Sequence, residues 1–149
     1  DGKSDECPAD SGLTDRIRNK ILDVHNELRG QAADAIGGFA LEAAAMKKLK
    51  YDCSLEKLAV AHAKTCKWGH SAPDTRPGIG ENIYAIFNPN ADKLKEAEAA
   101  PRSWFSELAK YGVGQETMRL LNRPGKVVGH YTQVLYLNAF LISERELIF

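Results

Sequence analysis

Segments with helical periodicity alternate with segments of strand composition along this chain, and that alternation restricts the fold to the α/β class. Apolar residues recur at helical spacing through 14–29, where Thr14 can cap the first turn and Gly30 can end the helix. A second helix is predicted at 55–67, with Ser54 as its cap. The first half of the chain is therefore expected to be mostly helical.

The second half carries the strand signals. Residues 81–87, ENIYAIF, have strand composition, and residues 130–142 form a near-continuous apolar run, typical of a strand buried on both faces. Between them, helices are predicted at 92–99 and 101–111, because Pro101 suits the first turn of a new helix. No repeat or linker interrupts the pattern, so residues 1–149 are expected to form one domain.

Charge and hydropathy exclude several classes of protein. Lys plus Arg and Asp plus Glu are both 20 among 149 residues, so no overall field favours nucleic acid or an anionic membrane. No apolar run approaches the ~20 residues of a transmembrane helix, so no membrane span is expected. The sequence defines no oligomeric state.

The chain has three cysteines, Cys7, Cys53 and Cys66. No two of them form a C-x-x-C pair, which argues against a finger-type zinc site. An odd number leaves at least one thiol without a partner in the chain.

Four polar residues occupy unusual positions. Glu107 shares a predicted helix face with Trp104, although a carboxylate beside an apolar stripe is costly unless it is paired or solvated. Glu81 and His130 each open a predicted strand directly after a glycine, and His70 lies in a polar loop. Either these side chains converge on one site, or the glutamates pair with lysines and the histidines are merely exposed. Position alone leaves both readings open.

Several segments taken together resemble the CAP superfamily of cysteine-rich secretory, antigen 5 and pathogenesis-related proteins. These are DVHNELR, CKWGHS, GENIY, WFSELAKYGVGQE and GHYTQV. The segments MKKLKYDC and NRPGK are similar to those of the activation-associated secreted (venom-allergen-like) branch from nematodes. The resemblance implies a secreted, extracellular protein with a three-layer α–β–α sandwich.

The resemblance also implies a large open cleft that contains two histidines and two glutamates. Its tetrad would be His70, Glu81, Glu107 and His130, supported by Ser71 and Gln133. Two neutral imidazoles, those of His70 and His130, would hold Zn²⁺ or another divalent cation in an open, weak site. His25 and His62 are expected to be structural instead.

The same resemblance implies a non-enzymatic, host-immunomodulatory protein that binds a sterol or fatty acid, with a host immune protein or a glycan as a further partner. The lipid would contact the loop before GHYTQ, through Tyr111, Val113, Met118, Leu120, Leu121, Val127 and Val128. The opposing reading is that these side chains pack the loop onto the domain. The alternative function is a metal-assisted hydrolase, or a peptidase that uses Ser71 near His130.

The sequence departs from the family pattern after HYTQV, where it reads LYLNAFLISERELIF and contains no further cysteine. The sheet is therefore expected to lack its last strand or strands, and the usual disulfide partners are absent. We expect the tetrad to survive in a less stable domain.

Overall fold

The computed structural model describes residues 7, 12–33, 46–112, 125, 127–135, 141–142 and 144–148. Within these ranges the chain forms both helices and strands, as expected for an α/β chain. Their bounds are α1 Asp15–Ala33, β1 Lys50–Tyr51, α2 Cys53–Ala63, β2 Asn82–Ile86, α3 Lys93–Phe105, α4 Glu107–Tyr111, α5 Gly129–Leu135, β3 Leu141–Ile142 and β4 Glu144–Ile148.

The strands form two parallel pairs. β1 pairs with β3, in a register that places Lys50 opposite Leu141, and β2 pairs with β4 from Asn82 opposite Glu144 onward. The segment after α5 thus supplies a partner strand to each earlier strand. Helix α2 packs against β3 and β4. Helix α3 is bonded to β2 instead, through the Trp104 indole, which donates to the Ile83 carbonyl at 3.0 Å.

Helix α3 lies at the centre of the helical packing, in contact with both α1 and α5. One apolar cluster joins α1 to α3 and contains Ile17, Ile21, Leu49 and Ala97. A second cluster joins α3 to α5 and contains Ala100, Trp104 and Val134. Small alanines on α3 let the neighbouring helices approach closely, so α3 holds both clusters in place.

Buried charges tie α1 to its neighbours. Arg18 is fully buried and makes a bidentate pair with the Glu56 carboxylate of α2, with both N–O distances at 2.7 Å. Arg29 donates to the carbonyls of Lys47 at 2.7 Å and Val134 at 2.9 Å, which connects α1 to α5. Burial lowers the pKa of Arg29, because the charged guanidinium loses hydration.

The strand predicted at 130–142 is wrong over its first half, where the chain forms α5. The near-continuous apolar run suggested a strand, but Tyr131 and Val134 are the buried positions of this segment, and their spacing of three is helical. The Glu107 carboxylate also accepts from the Tyr131 amide at 3.1 Å, which satisfies a donor at the helix start. Tertiary contacts therefore override strand propensity.

The break predicted before Pro101 is also wrong. Helix α3 continues through Pro101 and ends at Phe105, and the next helix starts at Glu107. A proline inside a helix removes one backbone hydrogen bond. Here the loss is offset by packing, since Pro101, Ala100 and Trp104 are all buried on one face.

The first two helices were predicted with errors at their ends. Thr14 accepts from the Ile17 amide as expected, but α1 runs past Gly30 to Ala33. Helix α2 begins at Cys53 and is capped by Asp52, whose carboxylate accepts from the Ser54 and Leu55 amides.

Two of the cysteines form a disulfide. It joins Cys7 to Cys53 and anchors the N-terminal segment to the start of α2. Cys66 is a free, exposed thiol. In the part of the chain that the structure describes, no helix has the length and apolar character to cross a membrane.

Candidate functional site

The predicted tetrad residues form two histidine–glutamate pairs. The outer pair is His70 and Glu81, with His70 Nδ1 at 2.8 Å from Glu81 Oε1. The imidazole is 52% exposed, whereas the carboxylate is 1% exposed. The buried Glu81 carboxylate therefore orients an imidazole that solvent can reach.

Ser71 and Arg76 complete the surroundings of Glu81. The Ser71 amide donates to Glu81 Oε1 at 2.9 Å, and its hydroxyl donates to Oε2 at 2.8 Å. Arg76 Nε donates to Ser71 Oγ at 2.9 Å and lies 3.6 Å from Glu81 Oε2. These bonds satisfy a buried carboxylate, which would otherwise be costly. They also make Ser71 a support for the outer pair.

The inner pair is His130 and Glu107, with His130 Nδ1 at 2.7 Å from Glu107 Oε1. The other Glu107 oxygen accepts from the Tyr131 amide. Both members are more buried than His70, with side-chain exposures of 27% for His130 and 12% for Glu107. Glu107 opens α4 and His130 lies at the start of α5, so the pair joins two helix starts.

Trp104 and His25 back the inner pair with an aromatic stack. The Trp104 and His130 rings are nearly parallel, 9° apart in plane, with centroids separated by 6.2 Å. The His25 ring lies 6.3 Å from Trp104 on a tilted plane. Burial lowers the pKa of His25 to about 4, so this imidazole is neutral at physiological pH. His25 Nδ1 also bonds to the Ile21 carbonyl at 2.9 Å, as a structural histidine would.

Two contacts connect the inner and outer pairs. Asn82, the residue after Glu81, donates its amide to the His130 carbonyl at 3.1 Å. Gly80, the residue before Glu81, lies against the Gln133 carboxamide so closely that a Cβ at this position would overlap it. A side chain at position 80 would therefore require the Gln133 carboxamide to move, and the GEN segment packs directly on α5.

The pairing defines which imidazole nitrogens are available. An ionised carboxylate only accepts hydrogen bonds, so each Nδ1 must carry the proton and donate it. In a neutral imidazole the lone pair then lies on Nε2. His130 Nε2 is buried and makes no hydrogen bond in the described structure.

The described residues contain no group of three His, Cys, Asp or Glu side chains placed to hold one metal ion. Both glutamates are instead engaged with imidazole and amide donors. The chemistry of the tetrad is thus that of two oriented imidazoles with carboxylates behind them, rather than a four-ligand metal cage.

The predicted lipid loop lies largely outside the described residues, which include none of Val113, Met118, Leu120 and Leu121. Of the remaining members, Tyr111 and Val128 are half-buried, and Val127 is 54% exposed.

The fold and site together define the class of this protein. The sequence matches the cysteine-rich secretory protein family, CAP, over residues 22–140, and the chain belongs to that family. It is 44% identical to the Ancylostoma secreted protein of Ancylostoma caninum over 139 residues, which cover 88% of this chain and 33% of that protein.

Two solved structures have similar folds. "Crystal Structure of Na-ASP-1" aligns with a TM-score of 0.77 and 42% identity, over 91% of this chain and 36% of that one. "Crystal structure of NaASP2 with Zn2+" aligns with a TM-score of 0.76 and 40% identity, over 89% and 72%. This chain spans about a third of the Ancylostoma relative.

Sequence reasoning missed three parts of the site. Arg76 gave no signal, because a cation in a polar loop has many equivalent explanations. The stacking of Trp104 on His130 depends on α5 being a helix, and the apolar composition of this segment predicted a strand instead. Asn82 could have been found, since a polar residue at a predicted buried strand position calls for a partner.

Proposed function

We propose that this chain is a secreted, non-enzymatic CAP protein in which His70 and His130 form an open divalent-cation site. The observation that carries the proposal is the orientation of His130, whose Nδ1 is held by Glu107 while its buried Nε2 makes no hydrogen bond. A buried imidazole nitrogen with a lone pair and no partner is costly unless something binds there. His70 is oriented by Glu81 in the same manner.

The donor set fits zinc with two protein ligands. Zn²⁺ binds imidazole nitrogen readily, and carboxylates that accept from the other ring nitrogen are the usual outer partners. His70 Nε2 and His130 Nε2 would hold the ion, and water would complete its coordination. Such an ion would supply a Lewis acid. The similar NaASP2 structure with Zn²⁺ supports this choice of metal.

A recognition role fits the site better than hydrolysis. The Ser71 hydroxyl donates to the Glu81 carboxylate and accepts from the Arg76 guanidinium. Neither partner is an imidazole that could act as a general base for a serine nucleophile. The Cys7–Cys53 disulfide and the similarity to a protein named as secreted both favour an extracellular location, where a host immune protein or glycan is the partner we propose.

Calorimetric titration with ZnCl₂ tests the cation site. We expect one ion per chain, with binding lost in both His70→Ala and His130→Ala and kept in His62→Ala, whose imidazole bonds to the Gly69 carbonyl. Acidification should release the ion, because protonated imidazoles do not bind metal. Equal binding by all four proteins would overturn the proposal.

Sterol or fatty-acid binding by the loop before α5 is a second candidate, favoured by the 54% exposure of Val127. A large exposed apolar side chain in that loop suits an apolar ligand. Saturable binding of labelled cholesterol or palmitate to delipidated protein, reduced when residues 113–128 are shortened, is the expected result. Binding that is unchanged by the shortened loop would contradict this site.

A further inference from the structure

Arg76 is placed beside the outer pair by two consecutive turns. A single 3₁₀ turn spans Pro73–Thr75, and the Arg76 amide donates to the Pro73 carbonyl at 3.2 Å. The next turn is the segment RPGI, in which the Ile79 amide donates to the Arg76 carbonyl at 3.0 Å. Proline at its second position and Gly78 at its third, with a φ of +73°, are typical of a type II turn. The segment PDTRPGI therefore fixes the backbone at Arg76.

The Arg76 guanidinium connects three groups around the outer pair. Its Nε donates to the Ser71 hydroxyl oxygen at 2.9 Å, and its Nη1 donates to the Ile79 carbonyl at 2.7 Å. Nε also lies 3.6 Å from Glu81 Oε2, at the distance of an ion pair. The Arg76 side chain is 18% exposed and that of Glu81 is 1% exposed, so salt and water screen this pair weakly. One planar, rigid group thus holds Ser71 and Glu81 in a single arrangement.

The two carboxylates of the tetrad differ in this respect. Glu81 has a guanidinium beside it, whereas among the residues with described positions no Lys or Arg side chain pairs with Glu107. Glu107 accepts from the His130 imidazole and the Tyr131 amide. A histidine–glutamate pair in this fold therefore forms without a cation next to its carboxylate. The cation at the outer pair needs a separate explanation.

A carboxylate next to a cation site can act in two ways. Glu81 can accept from His70 Nδ1, which leaves Nε2 for the ion, or it can leave the imidazole and bind the ion itself. It cannot do both, because the ion would bind at Nε2, on the far side of the ring from the carboxylate. Imidazole suits Zn²⁺, whereas carboxylate oxygen suits Mn²⁺ and Ca²⁺. The position of Glu81 therefore decides which metals the site accepts.

We infer that Arg76 is a positioning residue that sets the metal specificity of the site, by holding Glu81 on the His70 imidazole. The ion pair offsets the charge of the carboxylate and weakens its attraction for a second cation. The Ser71 hydroxyl, which Arg76 fixes, adds a donor to the same carboxylate. This inference rests on the cation site proposed above and adds the selection among divalent ions.

Nitrogen NMR of the metal-free protein in EDTA tests whether Arg76 positions His70. At about pH 8 an ordinary imidazole is neutral, and the ¹⁵N shifts then show which ring nitrogen carries the proton. The native protein should have His70 in the Nδ1–H form, whereas Arg76→Met should give a mixture of the two forms. The control is Arg102→Met, which removes an arginine bonded to Glu27 and Glu98 and should match the native protein.

Calorimetric titrations with MnCl₂ and with ZnCl₂ test the metal specificity. In Arg76→Met the ratio of the two dissociation constants should shift in favour of Mn²⁺ by roughly tenfold or more. Arg76→Lys keeps the positive charge, so its ratio should lie closer to that of the native protein than to that of Arg76→Met. The double variant Arg76→Met/Glu81→Gln lacks the carboxylate and should have the same ratio as Glu81→Gln alone. This comparison separates release of Glu81 from a general loosening of the loop.

The possible failures are distinct. An unchanged His70 tautomer in Arg76→Met would contradict the positioning role, and an unchanged ratio of the two dissociation constants would contradict the specificity role. A shift toward Mn²⁺ that persists in the double variant would show that Glu81 is not the group released. Failure of the cation site itself would give native protein that binds neither metal while the His70 tautomer still responds to Arg76→Met. That result would overturn the metal specificity and support only the positioning of His70.

Discussion

At the scale of single residues, the two histidine–glutamate pairs share one design but differ in exposure. In both, a carboxylate accepts from Nδ1 and a backbone amide, which fixes the ring and leaves Nε2 for a ligand. His70 is half exposed, whereas His130 is backed by Trp104. An ion would therefore bind between one rigid imidazole and one accessible imidazole.

The carboxylate of the outer pair can be tested alone. Glu81→Gln keeps the shape but loses one acceptor for the Ser71 hydroxyl, so His70 should be held less firmly. We expect zinc affinity to fall by ~10–100-fold, the usual cost of removing such an outer partner. Calorimetry of Glu98→Gln, an exposed change on α3, serves as the control. Equal affinity in the two variants would argue that Glu81 does not position His70.

His25 makes stability depend on pH. Its folded-state pKa is about 4 instead of 6.5, so between these values the unfolded chain binds a proton that the native state does not. The native state therefore loses stability as pH falls through this window and keeps it above pH 6.5. The full effect is on the order of 3 kcal/mol.

Urea unfolding of the native protein and His25→Phe, at pH 7 and pH 4, measures this effect. The native protein should lose more free energy of unfolding on acidification than the variant does, by ~2–3 kcal/mol. Parallel losses in the two proteins would mean that another group controls the acid response.

At the scale of elements, α1 is joined to α2 by the Arg18–Glu56 pair. Without Glu56 the buried Arg18 keeps its 2.7 Å bond to the partly exposed Asp15 but loses its bidentate partner. Breaking a buried ion pair typically costs ~3–5 kcal/mol, and the retained bond places this loss at the lower end of that range. Glu56→Ala should therefore lower the free energy of unfolding by about that amount in urea titrations. The exposed Glu98→Ala should change it by less than ~1 kcal/mol. Similar losses in both would contradict a structural role for the pair.

Sequence patterns located most elements but failed where packing decides the outcome. The α1 periodicity and the strand composition of 82–86 reflect local preferences, so both were predictable. α5 was not, because its helix depends on a carboxylate from α4 that meets the Tyr131 amide. The continuity of α3 through Pro101 likewise depends on burial against its neighbours. Neither contact has a local sequence signal.

The candidate site follows the same division. Glu107 was recognisable because a carboxylate beside an apolar stripe needs a partner, and Glu81 and His130 because each opens a predicted strand after a glycine. The family motifs then joined these three residues and His70 into one predicted tetrad. The pairing of His70 with Glu81 and of His130 with Glu107 required coordinates, as did the stack on Trp104. The Cys7–Cys53 pairing was equally open, since three cysteines allow three choices of one disulfide.

At the scale of the whole molecule, a neutral chain concentrates its chemistry on one region. The outer pair and the free Cys66 lie within residues 66–81, and Asn82 bonds the end of this segment to the His130 carbonyl of the inner pair on α5. The helical packing around α3 holds the inner pair, and the disulfide anchors the start of α2. This arrangement suits the binding role proposed above.

Anomalous diffraction at the zinc edge, from crystals grown with ZnCl₂, tests the central claim most directly. We predict one strong peak bonded to His70 Nε2 and His130 Nε2 at ~2.0–2.1 Å, with both glutamates still bonded to Nδ1. A peak bonded to Nδ1 or to the Glu81 and Glu107 carboxylates, or no peak at the tetrad, would contradict the account.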